Sequence, residues 1–134
     1  MKGKITIYTN KNCSFCEQTK VKFKEKGIKF IEKPTIDWKK EWHETIFITG
    51  MATTPTILYN NTYFVPNRDF QSPDQLIELL NSFKDFNINN NKLILEKIKT
   101  LNYNIMMMLH NLNAELKQVN TNLNKEENGN KSTS

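Results

Sequence analysis

The chain has 134 residues with 19 Lys plus Arg against 14 Asp plus Glu, a formal charge of +5. That length holds one compact domain and a small appendage, and the sequence shows neither a signal-peptide pattern nor the ~18 apolar residues of a membrane span, so a cytoplasmic location is expected. The positive charge is almost all lysine, 18 Lys to one Arg beside 19 Asn and 13 Ile. It lacks the forked guanidinium chemistry of specific phosphate and base contacts and matches the output of an AT-rich coding sequence, which argues against specific nucleic-acid binding.

Lys4 to Thr9 alternates as a strand, and Ser14 to Lys26 has the amphipathic spacing of a helix that Gly27 ends. Ile28 to Ile31 alternates as a second strand, and Trp38 to Thr49, closed by Gly50, fits a helix with Trp38, Trp42, Ile46 and Phe47 on its apolar side. Trp38 and Trp42 either frame a substrate groove or pack in the core. Pro55 to Tyr59 and Thr62 to Val65 flank Asn60-Asn61, a pair that tolerates the positive φ of a tight turn, and so read as an antiparallel hairpin. Ser72 caps a third helix with Pro73 in its first turn and Leu76, Ile77, Leu79, Leu80 and Phe83 on its buried face. Residues 1–86 therefore read as an α/β unit.

Residues 87–91 form a polar hinge, and 92–124 read as one long amphipathic helix. Its apolar positions Ile94, Ile98, Leu101, Ile105, Met108, Leu112, Leu116, Val119 and Leu123 make a heptad seam with one four-residue stutter. A homodimer or small homo-oligomer through 94–123 is expected, with folding back onto the sheet as the alternative. Met106 to Met108 serve either as an adaptable partner surface or as loose core filling. Residues 125–134 hold no apolar side chain and are expected to be disordered.

The chemistry sits at the first strand-to-helix junction, where Cys13-Ser14-Phe15-Cys16 holds the two cysteines of the chain. Free N–H groups and the positive dipole end at a helix start favour thiolate, whereas an unperturbed cysteine is only about 3% thiolate at neutral pH. The i, i+3 spacing puts both sulfurs on one face, close enough to form a disulfide. Cys13, at the exposed end, is the expected nucleophile that forms a mixed disulfide, and Cys16 the resolving thiol. Lys11 either adds a cation that favours thiolate or is a solvated surface residue. Phe15 is expected to shield the disulfide. A closed zinc site would need two further ligands, and His43 and His110 lie in separate helices without metal-ligand spacing, so no metal is expected. Thr53-Thr54-Pro55-Thr56 leads into a strand, and a cis bond there would expose the Thr54 backbone to an extended substrate.

The succession Ile7-Tyr8-Thr9, Cys13-Ser14-Phe15-Cys16 and Thr53-Thr54-Pro55-Thr56-Ile57-Leu58 resembles the glutaredoxin branch of the thioredoxin-like fold over residues 1–86. The resemblance implies a three-layer α/β sandwich with a central four-stranded mixed sheet, a nucleophilic Cys13, a resolving Cys16 and a cis-Pro55 beside the site. It implies reduction of disulfide-containing proteins or glutathione mixed disulfides, with glutathione as reductant. Read from the residues themselves, Lys11, Phe15, Thr54 and Pro55 are the expected substrate-binding positions beside the site. The sequence departs from the family pattern at three places. Asn10 stands where a basic residue is usual. Val65-Pro66-Asn67-Arg68-Asp69 replaces the glycine pair that binds glutathione, leaving Arg68 and Asp69 either to hold its carboxylate and amine or to pair with each other. Ser14 replaces the commoner proline. Members with Ser there include carriers of a [2Fe–2S] cluster held by the first Cys and glutathione, so a self-associating adaptor or cluster carrier is the alternative function.

Overall fold

The computed structural model describes residues 3–83 and 92–132. Its elements are β1 (Ile5–Thr9), α1 (Ser14–Glu25), β2 (Ile31–Pro34), α2 (Lys39–Thr49), β3 (Thr56–Tyr59), β4 (Thr62–Phe64), α3 (Pro73–Ser82) and α4 (Lys92–Ser132). The strands form one mixed sheet in the order β2-β1-β3-β4. β1 is parallel to β2 and antiparallel to β3, which is in turn antiparallel to β4. This α/β architecture is compatible with a thioredoxin-like fold.

Strand alternation divides the core in two. Ile5, Ile7, Ile57, Tyr59 and Phe64 cluster with Phe23 of α1, Phe70 and Leu76, Ile77 and Leu80 of α3. Tyr8, Tyr63 and Leu58 point the other way and meet Trp42 and Ile46 of α2. Helices thus cover both faces of the sheet. Phe23, Phe70 and Leu76 are fully enclosed, and each such side chain contributes roughly 1.5–3 kcal/mol by leaving water.

Local chemistry sets the element ends. The Ile28 N–H donates to the Phe23 carbonyl (2.8 Å) and the Gly27 N–H to that of Lys24 (3.1 Å), with Gly27 left-handed at φ 67°. This is a Schellman closure of α1. It consumes the Ile28 amide, so Ile28 and Phe30 pack on the core from the connection, and the strand expected at 28–31 lies instead at Ile31–Pro34. Asn60 and Asn61, at φ 47° and 60°, make the hairpin turn. Asn12 and Asn67 complete the positive-φ non-glycine residues among the described ones, so asparagine supplies all four. Ser72 caps α3 by accepting the Gln75 N–H.

Two compact units divide the chain after Thr100. The first nine residues of α4 therefore belong with the α/β unit, whose expected limit was residue 86. They pack along the outer edge of β4. There the Tyr63 N–H donates to Glu96 Oε1 (3.1 Å), and the Tyr63 carbonyl accepts from Lys99 Nζ (2.9 Å) and Arg68 Nη2 (3.0 Å). Arg68 Nη2 also contacts Glu96 Oε2 at 2.7 Å, and both side chains are only 1% exposed. The Thr100 hydroxyl donates to the Thr49 carbonyl at the end of α2. An edge strand's free polar groups are thus satisfied by side chains instead of another strand. The second unit, from Leu101, contains the rest of α4, which stays helical through residues 125–132, where disorder was expected. The hinge expected at 87–91 lies outside the described residues.

Removing Glu96 takes one of the two carboxylates from the buried Arg68 and leaves the Tyr63 N–H without its acceptor. Glu96→Ala should therefore lower unfolding free energy by about 3 kcal/mol in a denaturant titration, and a loss below about 1 kcal/mol would show that this edge contact does not hold the fold. Burial also pushes the Tyr8 hydroxyl up to about 12, beside Glu41 at 3.2 Å. The unfolded chain deprotonates near the ordinary tyrosine value of about 10, so the stability from a neutral Tyr8 is complete below pH ~10 and lost as pH rises to ~12. Tyr8→Phe should lose less stability than the parent across that window. Identical losses would count against the assignment.

Candidate redox site

The site starts where β1 ends. The Asn10 side chain bonds the Thr35 hydroxyl, and Asn12 at φ 61° turns the chain so that Cys13 takes the extended N-cap position of α1. Cys13 Sγ accepts the Cys16 N–H at 3.1 Å, and the Cys13 carbonyl accepts the Glu17 N–H at 3.2 Å. A sulfur thus stands where an Asp or Ser side chain would normally satisfy the first free helix donors. The i, i+3 spacing brings the Cα atoms to 5.2 Å, and the two cysteines are joined by a disulfide. Cys13 is partly exposed, whereas Cys16 is fully buried.

The start of β3 approaches the same sulfur. The Thr54 hydroxyl lies 3.5 Å and the Thr54 carbonyl oxygen 3.7 Å from Cys13 Sγ. The Thr54–Pro55 bond is cis, and Pro55 is buried as it enters the strand. The Cys16 amide and the Thr54 hydroxyl are both directed at Cys13 Sγ, and charge-assisted hydrogen bonds of this kind favour a thiolate there once the disulfide is opened.

A groove of about 610 Å³ is lined by Thr9, Asn10, Lys11, Glu17, Glu32 and the segment Pro34 to Asp37. Lys11 is exposed on its wall. Burial opposes ionisation of Glu32, but hydrogen bonds from Lys20 Nζ (2.9 Å) and the Thr9 hydroxyl (2.9 Å) outweigh it and hold the carboxyl below its usual range. The groove therefore presents fixed charges of both signs within the size range of ligand clefts.

The other expected site residues are used differently. Phe15 packs edge-on against Phe70, with ring centroids 5.7 Å apart, and lies partly buried against the main core. Trp42 is buried against Tyr8, and Trp38 carries Lys33 Nζ over its ring at 4.4 Å, so neither lines this groove. Arg68 and Asp69 pair with each other, with Nη2 to Oδ2 at 2.7 Å, but not on the surface. Arg68 is enclosed by Glu96, Thr100 and the Tyr63 carbonyl, while Asp69 Oδ2 accepts the Val65 N–H at 2.8 Å. Both are occupied in bracing the 65–70 loop instead of lining an open subsite.

Sequence reasoning passed over Glu17, Glu32 and the Thr35-to-Asp37 wall. The available signal was Ile36, an apolar residue in a polar turn that remains 62% exposed. It also missed Glu96, because a lone acid on an amphipathic helix carries no mark of burial. Among the described residues, no group of three or more His, Cys, Asp or Glu is arranged to hold a metal ion. Nor does any described helix have the length and apolarity to cross a membrane. In comparisons with known proteins, no family model matches this chain and no curated protein matches it significantly.

The unequal exposure of the sulfurs predicts unequal reactivity. After reduction under native conditions, a brief iodoacetamide pulse should label Cys13 at least about tenfold faster than Cys16, as read by peptide mass spectrometry. Equal labelling, or faster labelling of Cys16, would reverse the nucleophile assignment.

Proposed function

We propose that the chain is a thiol–disulfide oxidoreductase of glutaredoxin type that reduces protein disulfides or glutathione mixed disulfides, with glutathione as the electron source. The observation that carries this reading is the half-exposed Cys13 sulfur on a helix N-cap, facing Thr54 and joined to the buried Cys16. A structural staple fits poorly, since a loop closed over so few residues removes little unfolded-chain entropy.

In the reduced protein, the Cys13 thiolate attacks one sulfur of the substrate disulfide and releases the other as a thiolate. The new bond joins Cys13 to the remaining substrate sulfur. Cys16, having given its proton to the released thiolate, attacks the Cys13 sulfur and expels the substrate's second thiolate. Two electrons pass to the substrate, and the protein is left as the Cys13–Cys16 disulfide. Two glutathione thiols, oxidised together to glutathione disulfide, return it to the dithiol. Lys11 on the groove wall favours the anionic sulfur species that approach, and the Thr54 backbone beside Pro55 offers hydrogen bonds to an extended substrate chain. Arg68 and Asp69 are held internally, so recognition falls to the groove and the Thr54 segment.

Turnover measured with glutathione and glutathione reductase, beside a parallel assay coupled to thioredoxin reductase, tests this reading. Activity is expected in the glutathione-coupled assay, with a loss of at least about 10³-fold in Cys13→Ser. Cys16→Ser should accumulate a mixed disulfide with a protein substrate. Turnover that survives Cys13→Ser, or that depends on thioredoxin reductase alone, would defeat the proposal.

A further inference from the structure

From Leu101 onward, α4 presents apolar side chains that nothing in its own compact unit covers. Ile105, Leu109, Leu112, Leu116, Val119 and Leu123 are each 45–56% exposed. The seam through Leu101 and Met108 needs a stutter between Leu112 and Leu116, but taking Asn102 and Leu109 in their places removes it over 102–123. Asn102, Ile105, Leu109, Leu112, Leu116, Val119 and Leu123 then alternate by three and four residues without a break. They span three heptads and about 32 Å of helix. Asn102, Leu109, Leu116 and Leu123 take the a positions, and Ile105, Leu112 and Val119 the d positions.

We propose that this stretch pairs with the same stretch of a second copy of the chain, parallel and in register, with Asn102 facing its counterpart. The polar seam residue decides the arrangement. Its side-chain amide both donates and accepts, so opposite its own copy it is self-satisfying, and this is the use to which a single buried Asn is put in parallel pairs. In an antiparallel pair an a position faces a d position, and Asn102 would meet an apolar side chain with its amide unsatisfied.

The flanking residues agree. In the parallel register each residue before an a position lies beside the residue five further along the other helix. Those pairs are Leu101 with Met106, Met108 with Asn113, Glu115 with Asn120 and Asn122 with Glu127. The first extends the apolar strip, and none sets like charges together, so nothing along the seam opposes self-pairing. A partner of different sequence would have no such match built into this chain.

Two measurements on the full chain test the pairing. Sedimentation equilibrium should give twice the 15.8 kDa chain mass, and Leu116→Asp, at an exposed helical position, should return it to the monomer with its far-ultraviolet circular dichroism retained over the α/β unit. Separately, Asn102→Cys treated with diamide should yield a covalent dimer on a non-reducing gel that dithiothreitol dissolves, at least about tenfold more than the parent under the same treatment. A monomeric parent, a mass of four chains, or a double-mass parent whose Asn102→Cys variant fails to cross-link would each overturn the proposal.

Discussion

The outer edge of β4 is closed by charged side chains. Tyr63 would otherwise offer a free N–H and a free carbonyl at the rim of the sheet. Glu96 takes the first, and Lys99 and Arg68 take the second. Because Arg68 also grips Asp69, and Asp69 accepts the Val65 N–H, the same cluster fixes the loop that brings Phe70 into the core. Phe70 in turn supports Phe15, the ring between the two cysteines. An ion cluster at the far rim is thus joined through packed side chains to the residues that hold the sulfurs. Arg68 and Glu96 are enclosed, so their geometry is dictated by desolvation: either one left unpaired would be a charge out of reach of water.

At the cysteines, one structural need and one chemical need are met by the same atom. A helix start requires an acceptor for its free N–H groups, and Cys13 Sγ accepts the Cys16 amide. A hydrogen bond that caps the helix in the oxidised protein favours the anion in the reduced one. Burial distinguishes the two sulfurs: the same helical turn that brings them together buries Cys16 fully and leaves Cys13 partly open.

What was legible in the sequence was local. Schellman and N-cap chemistry at Gly27 and Ser72, the Asn60-Asn61 turn and the alternating strands β1, β3 and β4 depend on residues within a few positions of one another. β2 was displaced because its strongest apolar signal, Ile28 and Phe30, serves packing from a helix cap. The strand itself, Ile31-Glu32-Lys33-Pro34, is an edge strand with little apolar character to announce it. For Arg68 and Asp69 the sequence left open a ligand-binding role or a pair with each other; the pair is what forms, and its burial was not legible because the acid that encloses Arg68 is 28 residues away in a helix that reads as amphipathic and solvated.

By itself the sequence determined that a Cys-x-x-Cys pair stands at a helix start after a strand, that a Thr-Pro step enters a later strand, and that a long helix follows with a heptad pattern. Each is a matter of spacing along the chain, set by helix periodicity, capping and turn chemistry. Only the tertiary structure decided that Thr54 faces Cys13 across 41 residues of sequence, that Cys16 is sealed while Cys13 is not, and that Arg68 and Asp69 are spent on the β4 edge. Those outcomes depend on which distant surfaces exclude water together, and no local pattern records them.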